Sequence, residues 1–147
     1  MKKLTVAAFL LALGANAMAQ MTPIGLWNTI DDKTGKPKAE VRISATAAGE
    51  LSGVVVRGLE AVVDPEPNCD KCSDDRKGKP KIGMEIIRGG KKAEGKDVWE
   101  GGYILDPNNG TNYRLLLTPT EAGKKLQVRG YIGTPMLGRT QTWVRVE

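Results

Sequence analysis

The chain has 147 residues, 27% of them charged, a formal net charge of +5 and no histidine. The missing imidazole removes Ser-His-Asp and Cys-His nucleophilic machinery, every zinc site that needs a histidine ligand, and the usual near-neutral proton switch. The charge excess is too mild to imply nucleic-acid binding, and it falls to +3 without Lys2 and Lys3.

The N-terminus reads as a secretory signal. Met1-Lys2-Lys3 is basic, Leu4 to Leu13 is apolar, and Ala17-Met18-Ala19 is a small-x-small cleavage site. The apolar run is too short for a stable membrane-spanning helix, which needs roughly 20 residues. No cysteine follows the site to accept a lipid. Residues 1–19 are therefore expected to be a signal peptide. Residues 20–147 are expected to form one domain, periplasmic or secreted after cleavage near Ala19, with no membrane span.

Eight strands follow in chain order, at 24–30, 39–45, 51–57, 82–88, 98–105, 112–118, 125–132 and 139–146. Alternation of Val41 and Ile43 against Glu40, Arg42 and Ser44 marks the second as a half-buried strand. Asp106-Pro107-Asn108-Asn109-Gly110 is a strong turn, because proline presets one dihedral and Asn-Gly accepts positive φ. Gly89 to Lys96 reads as a basic turn. No segment has the period of an amphipathic helix. The expected fold is all-β, an eight-stranded antiparallel up-and-down barrel, with a two-sheet sandwich as the alternative. Gly53, Gly101, Gly102 and Gly130 within strands favour the barrel, where sharp coiling tolerates them.

The segment 58–81 breaks the pattern. It holds Pro65, Pro67, Pro80, both cysteines and many charges, and reads as a long solvated loop whose charges pair among themselves. Cys69-Asp70-Lys71-Cys72 is a CxxC. In an exported chain the pair is expected to be a disulfide. A thiol-redox role is the sharper alternative, but its flanks lack the strand-to-helix junction that lowers a thiol pKa. No second CxxC completes a zinc site, and no metal or cofactor is expected.

Two groups of residues point to a binding function. Gly25-x-Trp27 lies in the first strand, and Arg139, Trp143 and Arg145 lie in the last. A Trp in the first strand with an Arg from the last lying across it closes one end of lipocalin- and calycin-like barrels, so these five residues are the expected closure. Arg129 and Tyr131 share one face of the seventh strand, and Tyr113 lies on the sixth. If that face points inward, Arg129 and Tyr131 hold a ligand anion by charge-assisted bonds, with Tyr113 beside them. If Leu126 and Val128 point inward instead, Arg129 is solvated.

The blocks Pro23-Ile24-Gly25-Leu26-Trp27, Leu51-Ser52-Gly53, Cys69-x-x-Cys72, Trp99-Glu100-Gly101-Gly102, Leu126 to Gly133 and Leu137 to Trp143 resemble a bacterial exported family catalogued as domain of unknown function 2147. The resemblance covers nearly all of the chain after the signal. It implies a lipocalin-like barrel and ligand binding, and supplies neither a substrate nor catalytic residues. The function expected is non-catalytic binding of a small apolar or amphipathic molecule in a barrel cavity. The positive charge tilts the ligand toward anions such as fatty acids. The alternative is an envelope structural or protein-interaction module whose barrel is filled by its own side chains. Many valines and glycines, with no phenylalanine after Phe9, lean toward the cavity.

Overall fold

The computed structural model describes residues 21–147; the expected signal segment lies outside the described residues. Nine strand segments follow one another: β1 (Gly25–Ile30), β2 (Pro37–Ala45), β3 (Leu51–Gly58), β4 (Glu85–Arg88), β5 (Lys91–Lys92), β6 (Trp99–Asp106), β7 (Thr111–Thr120), β8 (Lys125–Tyr131) and β9 (Arg139–Arg145). Every pairing is antiparallel, and apart from β4 and β5, which do not pair with each other, each strand lies beside its neighbours in sequence. β9 returns to β1 through Trp27↔Arg145 and Asn28↔Val144, and β4 and β5 both pair with β6. The ring is thereby closed. β4 and β5 are two halves of one barrel strand, so the architecture is an eight-stranded up-and-down barrel, and closure leaves no long sheet edge. Among the described residues no helix is long and apolar enough to cross a membrane.

The break between β4 and β5 has a backbone cause. The register Arg88↔Tyr103 and Lys91↔Glu100 sets Gly89 opposite Gly102 and Gly90 opposite Gly101. Gly89 and Gly90 take φ of 78° and 101°, which side-chain-bearing residues rarely adopt. A Cβ on Gly102 would lie 2.5 Å from the Gly89 carbonyl carbon. Four facing glycines thus kink the strand and let two backbones touch. The expected turn at 89–96 therefore contains a short strand. The fourth strand begins at Glu85 rather than at residue 82.

Two-residue alternation sorts the walls. Trp27, Val41 and Ile43 face the interior with Gly53, Ile87, Leu115, Leu117, Leu126, Val128 and Trp143, and the side chains among them are 4% exposed or less. This side-chain-filled section lies at the Trp27 end. The expected barrel cavity therefore does not extend into this section. A Cβ on Gly53 would lie 2.8 Å from the Ile87 Cβ, so that glycine admits a large neighbour rather than empty space.

Candidate functional site

The floor of the barrel is built on Trp27, which is wholly buried and donates its indole N–H to the Pro23 carbonyl at 2.7 Å. The Arg145 guanidinium lies 4.1 Å from the ring centroid. It donates to the carbonyls of Gly123, Ile24 and Thr22 at 2.5, 2.8 and 2.6 Å. Burial pushes the Arg145 pKa down, but cation–π attraction and three carbonyl acceptors face the charged form. Gly25 completes the pattern: its φ is 147°, and a Cβ there would collide with Arg145. Trp143 packs in the same core and donates its N–H to Gln141 Oε1 at 3.3 Å.

Arg139 is not part of this closure. Six residues along an extended strand separate it from Arg145, about 20 Å at the usual rise. It stands at the opposite rim, exposed and paired with Asp32 at 2.5 Å.

The β8 phase decides the expected ligand residues. Leu126 and Val128 are buried, and Gly130 continues their face. Arg129 and Tyr131 therefore point away from the interior. Arg129 donates to the Pro135 carbonyl and to Thr140 Oγ1, both at 2.8 Å, and so braces the β8–β9 loop. Tyr131 is in register with Arg114, whose guanidinium lies 5.8 Å from the Tyr103 ring centroid. The inward anion clamp of Arg129 and Tyr131 is corrected: both lie on the outer wall. Tyr113 does face inward, in register with Ile104, and accepts from Asn109 Nδ2 at 3.1 Å.

Above the floor the interior changes. Thr29, Ala39, Ile104, Tyr113, Gly130 and Gln141 continue the inner faces toward the 31–36, 59–84, 107–110 and 132–138 loops, and all are only half-buried. Gln141 spans this section: its Oε1 takes the Trp143 N–H, and its Nε2 donates to Asp32 Oδ2 at 3.0 Å. The sequence alone does not mark Gln141 and Asp32. The two-residue step back from Trp143 was the available signal for Gln141; nothing local pointed to Asp32.

The 59–84 loop is fastened rather than loose. Cys69 and Cys72 are disulfide-bonded, and both are buried in one cluster with Met84, Ile86 and Leu105. Leu105 and its register partner Asn112 lie on the outer side of β6 and β7, so the loop packs on the wall at the rim. Gly110 allows this, because a Cβ there would collide with the Lys71 carbonyl. Two cations expected in solvent are buried instead. Arg76 binds Asp74 at 2.6 Å, the Glu85 carbonyl at 2.9 Å and Asn112 Oδ1 at 2.7 Å. Lys81 binds Asp64 at 3.0 Å and Asn108 Oδ1 at 2.9 Å. Asp75 pairs with Arg88 at 2.8 Å.

These bonds hold carboxyl groups below their usual range. Arg76 does so for Asp74. The Glu66 N–H, then Lys81, do so for Asp64, and Arg88 does so for Asp75. The same rim carries exposed apolar tips: Val62 and Val63 on one loop, and Ile132, Met136 and Leu137 on another. Elsewhere, an open surface cleft of about 450 Å³ lies among Glu50, Lys91, Lys92, Glu94 and Glu100, outside the barrel.

A closed eight-stranded antiparallel barrel, floored by a first-strand Trp under a last-strand Arg, is a lipocalin-like fold. A solved structure shows the same fold: protein HP1028 from the human pathogen Helicobacter pylori, described as belonging to the lipocalin family. It matches with a TM-score of 0.72 at 15% identity, over 87% of this chain and 85% of that one. The profile of a family described as an uncharacterized protein conserved in bacteria (DUF2147) matches residues 25–145, and the chain belongs to that family. Among curated proteins, none matches the sequence.

Proposed function

We propose that this protein is an exported, non-catalytic carrier that holds a small apolar or amphipathic molecule in the rim half of its barrel. One observation carries the reading. The inner face is sealed at the Trp27 end, while its continuation through Ala39, Ile104, Tyr113 and Gln141 is half-exposed. A concave, mostly apolar surface with a few polar groups is the usual form of a small-molecule site. Export is supported by the basic-apolar-small N-terminal pattern.

An environment-sensitive apolar dye should brighten on binding the protein. Ala39→Phe, which fills the rim half, should abolish that signal while leaving the melting temperature nearly unchanged. If the rim half is already packed, the added ring is overpacking and destabilises by about 1–3 kcal/mol. That loss, with no dye binding to the unmodified protein, would refute the carrier reading. It would favour the interaction module, for which the exposed Val62, Val63, Met136 and Leu137 would be the contact surface.

A further inference from the structure

We infer that the β8–β9 loop, residues 132–138, and the outer wall behind it dock on an anionic lipid bilayer. The inference does not depend on a ligand in the barrel. The loop reads Ile132-Gly133-Thr134-Pro135-Met136-Leu137-Gly138, without a charge. Ile132, Met136 and Leu137 are 60%, 89% and 78% exposed. Large apolar side chains held this far into water on one short loop mark a contact surface.

The loop is braced and does not fold back over its apolar tips. Arg129 donates to the Pro135 carbonyl and to Thr140 Oγ1. The Leu137 and Gly138 N–H groups donate to the Thr134 and Pro135 carbonyls at 3.1 and 3.3 Å. A Cβ on Gly138 would lie 2.7 Å from the Gly130 carbonyl oxygen, so the loop returns tightly over β8. With these backbone groups bonded within the protein, side chains are what the loop offers to a lipid phase.

Charge decides the partner. Residues 111–146 carry Arg114, Lys124, Lys125, Arg129, Arg139 and Arg145 against a single acid, Glu121. Lys124, Lys125 and Arg145 stand at the floor end, and Arg139 is paired with Asp32. Two arginines behind the loop keep an uncompensated charge. The acceptors of Arg129 are neutral, and Arg114 has neither a hydrogen bond nor an ion pair. Every other arginine among the described residues is bonded to a protein acceptor. Arg114 is exposed, lies in register between Tyr103 and Tyr131, and stacks its guanidinium 5.8 Å from the Tyr103 ring centroid. Stacked there, it keeps its N–H donors for a phosphate. The two phenol rings are amphipathic and suit the headgroup level.

Apolar tips ahead of a Tyr–Arg–Tyr row match hydrocarbon ahead of lipid phosphates. An acidic protein surface would match the arginines but leave the tips in water. Of the acids around this wall, Asp32 is paired with Arg139 and Asp74 with Arg76, and Glu100 stands two strands from Arg129, across Leu116. The other apolar tip at this rim, Val62-Val63, lies between the acids Glu60 and Asp64, which an anionic surface repels.

Vesicle sedimentation tests the docking face. The protein and each variant are expressed with the native leader, purified alike and checked by intact mass, so that residues 1–19 are absent from all or common to all. Vesicles of phosphatidylglycerol and phosphatidylcholine in equal parts should bind the protein about tenfold or more tighter than phosphatidylcholine alone. Met136→Ser with Leu137→Ser should weaken that binding about tenfold, and Arg114→Gln about fivefold. Val62→Ser with Val63→Ser should leave it unchanged. The replaced side chains are exposed, so melting temperatures should match the parent's. Leu137→Trp should gain quenching by lipids brominated in the acyl chains. No binding to phosphatidylglycerol vesicles, or binding that the Met136/Leu137 variant leaves unchanged, would overturn the inference. Binding to polyglutamate that Arg114→Gln weakens, with none to vesicles, would overturn it in favour of an acidic protein partner.

Discussion

At the scale of single residues, Trp27 carries the most structural weight. It is fully buried, hydrogen-bonded through its indole N–H and covered by a guanidinium. Trp27→Ala should destabilise the protein by about 3–5 kcal/mol, as large-to-small core changes do. A denaturant melt showing a loss below about 1 kcal/mol would remove Trp27 from this role. Arg145→Lys should also destabilise, since an ammonium cannot spread over the indole and reach three carbonyls at once. This closure was legible in the sequence because it depends on residue type at both ends of the strand order. Choosing Arg145 over Arg139 needed the register. The phase of β8 was less legible: Gly130 carries no side chain to show its face, and Tyr131 suits either wall. Asp32 and Gln141 meet only because closure brings the β1–β2 turn beside β9, a contact 109 residues apart.

At the scale of elements, the 59–84 loop behaves as a clasp on β4 and the β6–β7 turn. Its carboxylates set a pH dependence. Asp64, Asp74 and Asp75 have folded pKa values below their ordinary 3.8. Their contribution is fully present above about pH 4 and is lost as pH falls through the lowered folded values. Limited proteolysis at constant time should find the loop resistant at neutral pH, and acid-stable protease should cut it first as pH falls below about 4. Cutting that begins above pH 5 would contradict this assignment. Replacing both cysteines by serine should cost about 2 kcal/mol, the chain-entropy value for so short a loop, and should expose 59–84 to protease while the strands persist. The sequence showed where this loop lies and that its cysteines pair. It did not show that Arg76 and Lys81 are buried, because their partners Asn108 and Asn112 belong to another hairpin. The β4–β5 kink looks like a turn in the sequence for a similar reason. Its glycines are explained by the glycines they face, not by their neighbours in sequence.

At the scale of the whole molecule, eight alternating segments with hairpin-length links were enough to indicate an up-and-down barrel, because each strand pairs with its sequence neighbours. Closure between β1 and β9 was legible only through the Trp–Arg pattern. Interior filling was not legible, since composition does not say whether a glycine opposes space or, like Gly53, a large side chain. A chain without histidine has no imidazole to titrate between pH 5 and 8, so global stability should be nearly flat across that range in denaturant melts.

Occupancy of the rim half by a small molecule can be read by native mass spectrometry of the protein isolated from the cells that produce it. A carrier should show a small-molecule adduct in one-to-one ratio, lost on organic extraction and reduced in the Ala39→Phe variant. Protein of bare polypeptide mass under gentle conditions, with no apolar probe able to add to it, would rule out a carrier.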